Sequence, residues 1–218
     1  MFHWMKWSLL TIVVMGTVVA FDGSSRAHDA AAAAHATSQP SPAALPAPVI
    51  FMQAFIGRAN PSLLVEDPYC AAQLPVAIHR SAAAQGLEWQ TLFVLAWQES
   101  YFDCHAKNRF DRGGAFGPYQ IRRLWAPVVG DPREEYFDPH VSTERAAGVL
   151  AYYQETQRLQ ELIDRRFRFP LLCLYNSGET QRVNMRYCRA VGDKMRELGR
   201  EWERFRKQRL VASREAAD

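Results

Sequence analysis

The sequence predicts an all-α domain held behind an N-terminal leader. Three observations lead there. Apolar residues recur at helical spacing between proline and glycine punctuation, no alternating strand of convincing length interrupts them, and side chains able to build a core begin only near residue 49. At 218 residues the chain has room for one globular domain plus appendages. Its 26 Lys and Arg against 23 Asp and Glu leave a formal charge of +3, too small to argue for nucleic acid, so no nucleic-acid partner is expected.

Residues 1–21 carry one basic residue before an uncharged run, Lys6 and then Ser8 to Ala20. That run is shorter than the ~20 residues a helix needs to cross a bilayer, and it reads as a secretory signal peptide. Val18 and Ala20 offer small side chains at the spacing a signal peptidase prefers, with Ala27 as a second site; an uncleaved membrane anchor is the alternative. Both readings take the bulk of the chain out of the cytoplasm, to the periplasm or cell envelope. Residues 22–48 turn to Ala, Ser, Pro and Thr and form a linker, extended in its Pro-rich half, in which His28 and His35 are too isolated to ligate a metal. The domain is expected over residues 49–192, and a charged C-terminal helix over 193–218.

Within the domain, Val49 to Ile56 is an apolar run whose periodicity does not separate helix from strand. Pro75 is expected to open a helix that Gly86 closes. The next helix starts near Leu87 and ends at Glu99. A polar, glycine-rich loop follows, with Gly113, Gly114 and Gly117 before Pro118, Tyr119, Gln120 and Ile121. Asp138 and Pro139 have the form of a cap and first residue for a helix in which Ala146, Val149, Leu150 and Tyr153 share a face. Pro170 begins a short apolar helix stopped near Gly178. Beyond Tyr187 the chain becomes charged, with Glu203 and Lys207 as an i, i+4 pair and Met195, Leu198, Trp202 and Phe205 as an apolar seam. That helix reads as solvated and packed onto the domain by one edge.

Glu99 organises the functional reading. Leu92, Leu95, Ala96 and Glu99 lie at offsets 0, 3, 4 and 7, which sets an acid on a core-facing stripe. Burial disfavours the ionised form and raises the pKa, which suits a general acid. The plainer alternative is a Glu at a helix end paired with Arg109 or Arg112. The four cysteines, Cys70, Cys104, Cys173 and Cys188, are even in number and lie beyond the linker, which favours disulfides in one of three pairings. No pair has CxxC spacing, and neither a metal nor a cofactor is expected.

Three separated motifs resemble the goose-lysozyme-like lytic transglycosylases of the soluble-lytic-transglycosylase type. They are Glu99-Ser100 at a helix end, Gly117-Pro118-Tyr119-Gln120-Ile121 in the loop, and Leu174-Tyr175-Asn176-Ser177-Gly178 downstream, and the resemblance covers roughly residues 70 to 190. It implies a lysozyme-like all-α fold with a groove for peptidoglycan glycan strands. The implied activity is cleavage of the β-1,4 bond between N-acetylmuramic acid and N-acetylglucosamine, leaving 1,6-anhydro-muramyl ends. By resemblance Glu99 is the single catalytic acid/base, Ser100 supports it, Gly117, Tyr119 and Gln120 belong to the substrate-binding loop, and Tyr175 and Asn176 contact Glu99 and the sugar. Pro118-Tyr119 replaces the family's usual Leu-Met, which bears on subsite preference, and Leu-Tyr-Asn-Ser-Gly replaces Ala-Tyr-Asn-Ala-Gly. The alternatives are a lysozyme-like hydrolase, with Asp103 or Asp111 as second acid, and a non-catalytic peptidoglycan-binding accessory of a cell-envelope secretion or conjugation apparatus.

Overall fold

The computed structural model describes residues 45–108, 114–122, 125, 128, 133–178 and 182–215. The signal and most of the linker, together with Arg109, Asp111, Arg112 and Gly113, lie outside them. The described residues contain eight α-helices and one small antiparallel sheet. None of these helices is long and apolar enough to cross a membrane.

The undecided run becomes helix α1, Ala47–Ala59, which buries Val49, Phe51, Met52, Phe55 and Ile56. A single turn, α2 (Leu63–Glu66), leads into α3, Pro68–Ala84. Here the expected start at Pro75 is corrected. Asp67 caps the helix, its carboxylate accepting from the Cys70 amide at 2.9 Å, and Pro68 takes the first turn where its missing N–H costs nothing. Pro75 sits buried in mid-helix, a position normally costing about 3 kcal/mol. Gly86 does end this segment, with φ +62°.

Helix α4, Trp89–Ser100, buries Leu92 through Trp97 without a break, so it is enclosed on every side and packs against both α3 and α8. Tyr101 and Phe102 then adopt left-handed backbone, which folds the Phe102 ring back under the helix, 4.9 Å from Phe93 and 6.3 Å from Trp97. The loop beyond forms three two-residue strands too short to be seen as alternation: β1 (Lys107–Asn108), β2 (Ala115–Phe116) and β3 (Ile121–Arg122). Lys107 pairs with Phe116, and Ala115 with Arg122.

After a 3-10 turn at Arg133–Phe137 comes α5, Pro139–Gln154, capped as expected by Asp138, whose side chain accepts from the amides of His140 and Val141. A further helix that the apolar pattern does not announce, α6 (Gln157–Asp164), buries only Leu162. Helix α7 is Pro170–Ser177 and stops at Gly178. The last, α8, runs unbroken from Met185 to Glu215, so the expected boundary at 193 falls inside one helix. Its apolar seam docks on the domain: Trp202 lies 5.2 Å from Phe51 and 5.5 Å from Trp89 between ring centroids. Glu203 pairs with Arg206 at 3.2 Å instead of with Lys207.

The cysteines resolve into two bridges. Cys70–Cys104 ties α3 to the loop after α4, and Cys173–Cys188 ties α7 to α8, with Cα separations of 6.1 and 5.1 Å. Loops of 34 and 15 residues correspond to about 4 and about 3 kcal/mol in the chain-entropy model. Thiol titration of denatured, unreduced protein should therefore find no free thiol, and reduction should lower the melting temperature. Four free thiols would contradict both bridges.

Candidate active site

Glu99 sits on the last turn of α4, where the enclosed helix meets the loop. Its Oε1 accepts a 2.5 Å hydrogen bond from the Tyr187 hydroxyl, delivered from α8 across 88 residues of sequence. Enclosure of the carboxyl raises its pKa from 4.5 to about 6, against the Tyr187 hydrogen bond and the positive charges of Arg122 and Lys194, which hold it down. The Tyr187 hydroxyl is itself pushed well above its usual range, first by burial and then by the Glu99 charge. Lys194 donates to the Trp97 carbonyl at 3.0 Å and lies 4.7 Å over the Trp97 ring; partial burial lowers its pKa.

A narrow crevice opens over Glu99, lined also by Gln120, Arg122, Trp125, Tyr175 and Asn176. Glu99 is its one acid among the described residues. Asp103 is absent from the lining, with its carboxylate accepting from the His105 amide at 2.8 Å, and Asp111 lies outside the described residues. Trp125, largely buried, forms part of the crevice wall and is braced at 5.2 Å against Tyr153.

The loop residues divide. Ser100 is within hydrogen-bond reach of two carbonyls, Pro118 at 2.9 Å and Ala96 at 3.2 Å, so it links the end of α4 to the loop. Gln120, with φ +48°, donates from its amide to the carbonyls of Gly117 and Ala106 at 3.0 and 3.2 Å, while still reaching the crevice. Tyr119, expected in the groove, is instead fully buried. Its hydroxyl lies 3.1 Å from that of Thr143, because the turn at Gly117 points the ring into the core against α5. Pro118 is buried as well. Gly117 serves the backbone: at φ +72°, an added Cβ would stand 2.0 Å from the Tyr136 carbonyl oxygen. Pro118 and Tyr119 thus set the loop's shape from within, and their departure from the family pattern is a matter of packing.

Tyr175 and Asn176 reach the crevice from α7. The Tyr175 hydroxyl, however, donates to the Tyr119 carbonyl at 2.9 Å, and Asn176 accepts from Asn184 at 3.1 Å. The hydroxyl on Glu99 comes from Tyr187 instead. Tyr187, Lys194, Arg122 and Trp125 were not identified from sequence; the signal was the Cys173–Cys188 bridge, which places Tyr187 beside Tyr175 once that pairing is known.

A protein-family model described as the transglycosylase SLT domain matches residues 77–194, more than half of the chain. The chain belongs to this family. No match is found among curated proteins, and none among solved structures. The SLT domain assignment brings with it a lysozyme-like, helical fold and peptidoglycan-directed activity of the transglycosylase or lysozyme type. Its span contains Glu99, Gln120, Tyr175, Asn176, Tyr187 and Lys194, but neither α1 nor the second half of α8.

Replacing Tyr187 by Phe tests the electrostatics of this SLT site. The lost hydrogen bond favours the carboxylate, so its removal should raise the Glu99 pKa further and move the alkaline limb of kcat/KM to higher pH. An unmoved or acid-shifted limb in a folded variant would show that the bond does not act on the group that sets this limb.

Proposed function

We propose that the chain is a lytic transglycosylase that cleaves the β-1,4 bond from N-acetylmuramic acid to N-acetylglucosamine and leaves 1,6-anhydro-muramyl ends. The observation that carries this reading is one enclosed carboxyl, protonated up to about pH 6, in a crevice with no second acid among the described residues. Hydrolytic glycosidases generally use two carboxylates, one of which activates water or attacks the sugar. Here Glu99 gives its proton to the glycosidic oxygen as the bond to the anomeric carbon breaks. The muramyl C6 hydroxyl then attacks that carbon, and the Glu99 carboxylate takes the hydroxyl proton. The acid is regenerated, no water is consumed, and the product carries an internal ether.

Tyr187 holds the carboxylate in place between the two proton transfers. Ser100 and Gln120 fix the loop that faces it, and Asn176, Tyr175 and Trp125 contact the sugars. The two disulfides fit a chain exported to the cell envelope, with residues 1–21 as signal or anchor, 22–48 as linker, and wall-spanning machinery as a partner class. Digestion of purified peptidoglycan followed by mass analysis tests the reaction. Ends lighter by one water than reducing ends are expected. Reducing ends would make the protein a hydrolase, and unaltered strands a binding accessory.

A further inference from the structure

A cavity of about 510 Å³ lies between the turn joining α6 to α7 and the first turns of α8, a volume in the range of small-ligand pockets. Its α8 residues, Met185, Cys188, Arg189, Gly192, Asp193 and Arg196, recur at helical spacing and share one face of that helix. Tyr187 and Lys194 lie on the opposite face, so this cavity is separate from the crevice at Glu99. Five guanidinium groups line it, from Arg165, Arg166, Arg168, Arg189 and Arg196, against one carboxylate, Asp193, which is paired with Arg196. The excess of four positive charges on this one wall is larger than the +3 of the whole chain, so the cavity is not a sample of the mixed-sign surface around it. The side chains of Arg165, Arg166, Arg168 and Arg189 have no hydrogen-bond or ion-pair partner among the described residues. Arg165 and Arg168 lie instead 5.4 and 5.5 Å from the rings of Phe167 and Phe169. Like charges lining one cavity repel, a cost that a bound anion removes.

Gly192 keeps the floor of the cavity open. It is buried within α8, although glycine is the poorest helix former after proline. A Cβ there would stand 3.6 Å from both Arg196 Nη1 and the Phe169 ring, so alanine would fit and a longer side chain would take up the space beside them. Guanidinium forks pair with carboxylates and with phosphates. A carboxylate brings one charge and two oxygens, enough for one fork, whereas a phosphate monoester brings about two charges and three acceptor oxygens. Four unpaired guanidinium groups on one wall match the phosphate. Phe169, Met185 and the Cys173–Cys188 bridge add an apolar surface for an organic substituent. We propose that this cavity binds a phosphate monoester or pyrophosphate group, carried by a small organic molecule or by a lipid head group. The site is independent of the reaction at Glu99.

The test is a calorimetric titration of the protein at physiological salt with pyrophosphate, phenyl phosphate and benzoate. Both phosphates should bind with a Kd at or below ~1 mM, and benzoate, which has the same ring on a carboxylate, at least about tenfold more weakly. Arg166→Gln/Arg189→Gln, at two exposed positions where the fold should survive, should weaken phosphate binding by about tenfold or more. Arg200→Gln/Arg214→Gln removes the same charge from exposed positions of α8 outside the cavity and should leave binding unchanged. Gly192→Leu keeps every cation, takes away room and should abolish phenyl phosphate binding; if it does not fold, the two arginine pairs still decide. Sedimentation with phosphatidic acid vesicles, against phosphatidylcholine vesicles, separates the two sources. Uptake that Arg166→Gln/Arg189→Gln loses marks a lipid head group, and no uptake beside phenyl phosphate binding marks a free ester. Four results would each overturn the proposal: neither phosphate bound at millimolar concentration, benzoate bound as tightly as phenyl phosphate, equal losses in the two arginine pairs, or undiminished binding by a folded Gly192→Leu protein.

Discussion

Glu99→Gln should fold, bind glycan strands and lose turnover by ~10⁴-fold under the proposed transglycosylase reading, in which one residue serves both proton transfers and each is typically worth ~10² to 10⁴. Gln keeps the shape and can still accept from Tyr187, but it has no proton to give the glycosidic oxygen. Single-turnover kinetics on isolated strands measure this. Retention of more than about a tenth of wild-type turnover would transfer the role to another acid, beginning with Asp103. The same substitution has an opposite effect on stability. A carboxyl whose pKa is about 6 in the folded chain and 4.5 unfolded contributes fully below pH 4.5, and that contribution is lost as pH rises through 6. Above that range the enclosed charge costs about 2 kcal/mol. Glu99→Gln should therefore melt several degrees above wild type at pH 8, with the gain shrinking towards pH 4.5. An equal gain at both pH values would place the cause in packing instead of ionisation.

The second large effect belongs to Gly117→Ala. A methyl group there meets the Tyr136 carbonyl oxygen at 2.0 Å, far inside van der Waals contact, in a backbone region that L-residues enter only at a cost. Tyr136 is buried, and its carbonyl belongs to the 3-10 turn that leads into α5, so the obstruction is backbone and cannot rotate away. Strain and collision together should cost about 3 kcal/mol or more, read as a fall in melting temperature and in soluble yield. Activity per folded molecule should fall too, because Ser100 and Gln120 both depend on this loop. A Gly117→Ala protein as stable as wild type would mean that the turn can be remade. By contrast, Gly86→Ala, where no atom lies within 4 Å of the added carbon, should show only the cost of its φ of +62°.

The parts of this fold that were legible in the sequence are those set by local chemistry. Asp138-Pro139 and Pro170 with Gly178 mark helix ends because capping and proline geometry act within a few residues. Pro75 misled for the same reason: its signature as a helix opener was present, but Asp67-Pro68 had already started the helix and tertiary packing carries the interior proline. Helix α6 escaped notice because it buries one residue. Glu99 was found because its stripe is local to α4. Tyr119 was misplaced because it lies in the turn between β2 and β3, where no periodicity tells which side chain faces inward. Tyr187 and Lys194 were invisible because they meet the site through a disulfide and the packing of α8, contacts that no spacing encodes.

Helix α8 carries a consequence for where this molecule can be divided. The family span ends at Lys194, which is the last residue of α8 to touch the site, while the same helix continues for another 21 residues to Glu215. Trp202 and Phe205 in that continuation close over Phe51 of α1, at 5.2 and 5.4 Å between rings. A chain ended at the family boundary would keep the described residues lining the crevice and lose the aromatic lid that joins its first helix to its last. The family span and the packed domain are therefore different lengths of this polypeptide, because aromatic contacts that bind α8 to α1 lie beyond the family boundary.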